Sequence, residues 1–217
     1  MPQHPSRGEF DEIETESPRK ALLLSGRDNE IVSAIEEEGL TSFSFDGLRR
    51  MTGAHPETLS RILDRLEEAG IVVKSPEGYI VAERSKEVLT VHPLGTTNSR
   101  VPLLHTLLPY DVDVRNIVSD LKGKWFGTLR WIGYSVGDEG TTLKWVTNDG
   151  GVHIDAKFFG GQLDIEAKVR AGREVSDAVR ASHQLMSHVS SLYSRSRGKR
   201  RILQMRTLKG YFMPASM

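Results

Sequence analysis

The chain has no cysteine, which excludes disulfides, thiol nucleophiles and cysteine-ligated zinc. It has no net charge at pH 7, with 29 cations against 29 acids, so the field of the whole molecule points to no polyanionic partner. No stretch approaches the roughly 18 consecutive apolar residues of a membrane span. The opening MPQHPSRGEFDEIETESPRK lacks a basic region followed by an apolar core, so no membrane partner and a cytoplasmic location are expected. A phosphate loop and a dinucleotide fingerprint are both missing. No catalytic residue, no cofactor and no enzyme are therefore expected.

What is present is uneven. Five acids fall between Glu9 and Glu16, whereas residues 195–217 carry seven cations and no acid. Residues 1–20, acidic and without apolar periodicity, are expected to be a disordered tail. At 217 residues the chain is long for one small domain, and two units are expected: residues 21–84 and residues 110–195, joined by a connector at 85–109 and followed by a basic segment at 196–217.

In the first unit Ile31, Val32, Ala34 and Ile35 fall at helical spacing, with Glu36, Glu37 and Glu38 expected to face solvent and Gly39 to stop the helix. Thr41 to Phe45 alternates as a brief strand, and Asp46 to Thr52 makes a second helix ended by Gly53. Pro56 suits the first turn of a third helix, where its missing amide has no partner to lose. Leu59, Ile62, Leu63 and Leu66 form that helix's apolar stripe, and Gly70 ends it. Ile71 to Lys74 and Gly78 to Val81 alternate around Ser75-Pro76-Glu77 as a hairpin.

The stretch Leu59-Ser60-Arg61-Ile62-Leu63-Asp64-Arg65-Leu66-Glu67-Glu68-Ala69-Gly70-Ile71-Val72 resembles the third helix and wing entry of winged helix-turn-helix regulators of the MarR and ArsR type. The resemblance covers about residues 27–84. It implies a recognition helix whose N-terminal part enters the major groove of double-stranded DNA. His55, Glu57, Thr58, Ser60 and Arg61 hold the matching positions, and Arg61 is the foremost contact because a guanidinium pairs bidentately with guanine or grips a phosphate. Arg49, Arg50, Lys74 and Arg84 are placed to meet the neighbouring backbone. Charge argues the other way: residues 27–84 hold seven cations against twelve acids, and phosphate binding rests on cations. A winged-helix adaptor that binds protein or RNA is therefore the alternative.

The connector carries Pro93, Pro102 and Pro109 without a sustained period, although Leu103 to Leu108 is apolar enough to pack. After it, Asp111 to Leu121 reads as a short amphipathic helix. Trp125–Val136, Thr141–Thr147, Val152–Phe159 and Gln162–Val169 read as four strands, and the turns between them are short enough to require an antiparallel meander. Strict alternation in the last two strands leaves one face buried and one wet. The apolar positions from Val175 to Leu192 form a helix to cover the buried face. The fold class expected is thus α+β: an N-terminal winged helix-turn-helix, then a two-layer domain of a four-stranded meander and a long C-terminal helix.

The first strand carries aromatics on both parities. They either pack against neighbouring elements, or Trp125, Trp131, Tyr134 and Trp145 line a ligand pocket or dimer surface. No metal site is expected. His183 and His188 stand about 140° apart around a helix, and His153, Asp155, Asp164 and Glu166 interleave with Lys157 and Lys168 as charge pairs on a wet sheet face. Arg197, Lys199, Arg200 and Arg201 form the strongest cationic cluster, either a solvated flank or further nucleic-acid contacts. Taken together, the residues lead to the expectation of a homodimeric DNA-binding transcription regulator whose second unit serves dimerisation, effector sensing by a small molecule, or a protein partner.

Overall fold

A computed structural model describes residues 26–82 and 100–210, with residues 196–210 described by their backbone alone. In chain order the elements are α1 (Gly26–Glu37), β1 (Ser42–Phe43), α2 (Phe45–Thr52), α3 (Pro56–Glu68), β2 (Val72–Ser75), β3 (Gly78–Val81), β4 (Arg100–Leu107), α4 (Val114–Leu121), β5 (Leu129–Gly137), β6 (Gly140–Thr147), β7 (Val152–Phe159), β8 (Gln162–Val169) and α5 (Val175–Gly210).

Local chemistry sets several of these bounds. The Ser44 hydroxyl accepts a hydrogen bond from the Gly47 amide at 3.0 Å and starts α2, supplying a partner for an amide that has none within the helix. Gly53 closes α2 in the left-handed region at φ 70°, a conformation that costs glycine little. Pro56 opens α3, whose Leu59, Ile62, Leu63 and Leu66 are buried. Asp113 caps α4 by accepting from the Arg115 amide.

The sheet corrects the architecture expected from the sequence. A winged helix-turn-helix followed by a separate two-layer domain on a four-stranded meander is not what forms. Among the described residues eight strands make one antiparallel sheet in the order β2-β3-β1-β5-β6-β7-β8-β4. The splice is β1, which is two residues long. Ser42 and Phe43 pair with Ile80 and Tyr79 of β3 on one side, and with Tyr134 and Gly133 of β5 on the other. Without it β3 and β5 would both present unpaired donors and acceptors along an edge, a costly state when buried. At the far edge β4, within the stretch read as a connector, pairs with β8 from Arg100↔Lys168 to Leu107↔Gln162. The last helix also runs further than its apolar stripe, reaching Gly210.

Both faces of the sheet are covered over its centre. Helices α4 and α5 pack on one face, over Leu129, Trp131, Leu143, Trp145, Ile154, Ala156, Leu163 and Ile165. Helices α1 to α3 pack on the other, where Ile132 and Val146 join Leu48, Leu59, Leu63 and Leu66. The aromatics on both parities of β5 are explained by a register shift between Trp131 and Gly133. Ile132 is the extra residue of a bulge, so Trp131 and Tyr134 end on the same face, against α4 and α5, while Ile132 points to α2. Among the described residues no helix is long and apolar enough to cross a membrane.

Candidate functional site

The surface expected to read DNA is partly committed to other contacts. His55, which caps α3, and Glu57, Ser60 and Arg61 on it are exposed, and Thr58 is half-buried. Arg61 donates to Glu57 at 2.6 Å, one helical turn away. With both side chains mostly in solvent, such a pair is worth only about 0.3–0.5 kcal/mol and is readily exchanged for a phosphate. Arg65 is held differently: its guanidinium reaches the buried carboxylate of Asp28 at 2.5 Å and ties α3 to the first turn of α1. Arg49 pairs with Asp46 at 3.3 Å, and Lys74 is exposed on β2. Arg84 lies outside the described residues. Arg197, Lys199, Arg200 and Arg201 lie on the backbone of α5, and their side chains are outside what the structure describes.

Three of the four aromatics singled out in the sequence do come together. Trp125, Trp131 and Tyr134 line a pocket of about 420 Å³ with Ser42, Phe43, Ser44, Asp46, Arg50, Glu77, Ser119 and Lys122. The fourth, Trp145, is fully buried. It meets Trp131 edge-on at 5.3 Å between ring centroids and donates its indole N–H to the Lys124 carbonyl at 2.9 Å. Its role is to brace the pocket floor. Trp125 is 57% exposed, and the guanidinium carbons of Arg50 and Arg130 lie 5.5 and 4.9 Å from its ring centroid. The Lys122 ammonium lies 3.8 Å from the Tyr134 centroid. The pocket exists because of the splice: its walls come from β1, α2 and the β2–β3 turn on one side, and from α4 and β5 on the other.

A second constellation was not visible in the sequence. Glu38, expected to face solvent, is half-buried just after α1, its side chain only 10% exposed. Lys168 donates to it at 2.7 Å and Lys144 at 3.3 Å, while Lys144 also donates to Asp155 at 2.7 Å. His153 stands 3.6 Å from the same Glu38 carboxylate. Two carboxylates and two ammonium groups thus form a charge-balanced quartet, with Lys144 and Asp155 buried and Glu38 and Lys168 half-buried, that docks α1 on the sheet. The Asp155–Lys144 pair sits directly across strands β7 and β6. Opposite charges at alternating strand positions were legible; their burial was not, because it depends on where α1 lands.

Burial pushes the Glu38 carboxyl up, but His153, Lys144 and Lys168 together hold it well below its ordinary value of 4.5. A carboxyl depressed in the folded state stabilises the fold above the unfolded-state pKa and loses that contribution as pH falls through the folded-state value. Stability should therefore decline as pH drops below about 4.5. A Glu38→Gln variant should be less stable near neutrality and show a shallower decline below that pH, read from urea midpoints across an acid series. Parallel curves for the two proteins would remove Glu38 as the cause.

The sheet face over β7, β8 and β4 is open beyond α1, forming a groove of about 460 Å³ lined by Glu36, Glu37, Glu38, Asp155, Asp164 and Glu166 with Arg100, Lys144 and Lys157. Most of its charges are paired internally: Lys157 with Glu139, Arg100 with Glu166, His105 with Asp164. Among the described residues no group of three or more His, Asp or Glu side chains is placed to hold a metal ion. No family model, no curated protein and no solved structure matches this chain.

Proposed function

We propose that this protein is a DNA-binding transcription regulator that works in the cytoplasm as a homodimer, with the surface of α2 and α3 meeting DNA and the Trp125–Trp131–Tyr134 pocket taking a small-molecule effector. The observation that carries the reading is the shared wall. Arg50 and Asp46 of α2 line the same pocket as Trp131 and Tyr134 of β5, and α2 leads into α3 through a turn of only three residues, Gly53 to His55. A ligand that binds one arrangement of those walls better than another shifts α2, and α3 with it.

The test is anisotropy titration of the full chain on fragments flanking its own gene. Binding should weaken steeply with salt, since neutralised phosphates release counterions. Arg61→Ala should cost about 1–3 kcal/mol of binding if it reaches a base. Absence of any salt-dependent binding would sink the proposal.

A second reading has one observation in its favour. Arg61 and Arg65 are both matched by carboxylates, and residues 27–84 carry a net charge of −5. An adaptor that binds protein or RNA through this surface fits that balance, and an Arg61→Ala protein with unchanged nucleic-acid affinity would select it.

A further inference from the structure

We infer that the aromatic pocket is a site for a nucleoside monophosphate: a flat base carried on a phosphate. This rests on the pocket reading above and not on DNA binding.

The charges are the first argument. Arg50, Lys122 and Arg130 gather around two aromatic rings of one site, and among the described residues none of the three pairs with a carboxylate. Arg50 donates only to the Asp46 carbonyl at 3.3 Å, and Arg130 only to the carbonyls of Gly127 and Leu129. Of the two carboxylates that line the pocket, Asp46 pairs with Arg49. Cations stacked on rings keep their N–H edges free while the ring fixes their position. Such a set is prepared for an anion, and a phosphate, with several acceptor oxygens, engages more of these separated donors than one carboxylate does.

Shape is the second argument. The pocket's about 420 Å³ lies within the usual range of small-ligand sites, with room for a ring beyond the anionic group. Trp131 and Tyr134 share one sheet face because of the bulge at Ile132; Trp131 is 8% exposed, so the half-buried Tyr134 and the exposed Trp125 are the aromatic surfaces open to a flat heterocycle. Around them the Ser119 hydroxyl and the exposed Glu77 carboxylate of the β2–β3 turn are the polar groups left for base or ribose edges. A free phosphate would leave the aromatic floor unused, and a nucleoside would leave the cations unused.

Calorimetric titration of the full chain, without DNA, tests this with AMP, GMP, CMP and UMP against their nucleosides and inorganic phosphate. At least one monophosphate should bind about tenfold or more tighter than both its nucleoside and phosphate alone. Arg50→Ala and Lys122→Ala should each weaken that binding about tenfold with thermal melts like the parent's. No heat from any monophosphate, equal affinity for nucleoside and monophosphate, or unchanged affinity in both variants would overturn the assignment. Tighter binding of a single-stranded oligonucleotide than of any mononucleotide would also overturn it, in favour of an extended nucleic-acid surface. Because DNA is absent from the titration, failure here leaves the regulator reading standing, and failure of operator binding leaves this one standing.

Discussion

Replacing Lys144 with alanine is expected to cost about 3–5 kcal/mol of folding stability, the range for removing one partner of a buried ion pair. Lys144 is 4% exposed and bridges Asp155 and Glu38. Without it Glu38 keeps Lys168 at 2.7 Å, but Asp155 loses the only ion pair it makes among the described residues. One Asp155 oxygen already has no hydrogen-bond partner, so the stranded carboxylate would have little to compensate its desolvation. The size of the effect comes from that orphaned charge and not from the worth of the bridge itself. A Lys144→Met, Asp155→Leu double variant should therefore be more stable than Lys144→Met alone. Urea denaturation of the three proteins decides it: a loss under about 1 kcal/mol in the alanine variant would show that the quartet behaves like a surface pair.

The second large effect is expected at Gly133, where β1 meets β5. A Cβ on this residue would run into the carbonyl oxygen of Ser42 and crowd the Phe43 backbone. Backbone cannot step aside as a side chain can, so Gly133→Ala should cost about 3 kcal/mol and loosen the pairing of Ser42 and Phe43 with β5. Amide exchange should accelerate at Thr41 and Ser44, which donate to Tyr134 and Ile132 of β5 at 3.0 and 2.8 Å. Gly137→Ala on the same strand is the control, since nothing lies within 4 Å of its added methyl, and it should stay within about 0.5 kcal/mol of the parent. Equal stability of the two variants would mean that β1 is not a tight splice. Because β1 and β5 both wall the aromatic pocket, Gly133→Ala should also weaken whatever binds there.

Much of the local structure was legible because it rests on neighbours in sequence. The stripe Leu59, Ile62, Leu63, Leu66 and the proline at the start of α3 are local signals, and they mark a buried helix. The turns at Gly137 to Gly140 and Asn148 to Gly151 are short enough to force antiparallel pairing of β5, β6 and β7. The aromatic pocket was half legible. Trp125, Trp131 and Tyr134 drew notice as aromatics on both faces of a strand, but simple alternation put Trp131 and Tyr134 on opposite sides. The bulge at Ile132 reverses that, and no composition rule marks it beforehand. Trp145, on the neighbouring strand, lies in the core instead.

The sequence by itself determined the helical stripes, the antiparallel pairing of strands joined by short turns, the absence of thiol chemistry, and which residue types are present to meet a ligand. Only the tertiary structure decided that the strands form one sheet, that the Glu38 carboxylate enters a charge quartet, and that Arg50 and Lys122, without a carboxylate partner among the described residues, line an aromatic pocket. The physical reason is range. Periodicity and turn chemistry act over a few residues, whereas a two-residue strand such as β1 has almost no period to read. Its pairing is fixed by two unsatisfied edges and by a glycine 90 residues further on, at Gly133 against Phe43.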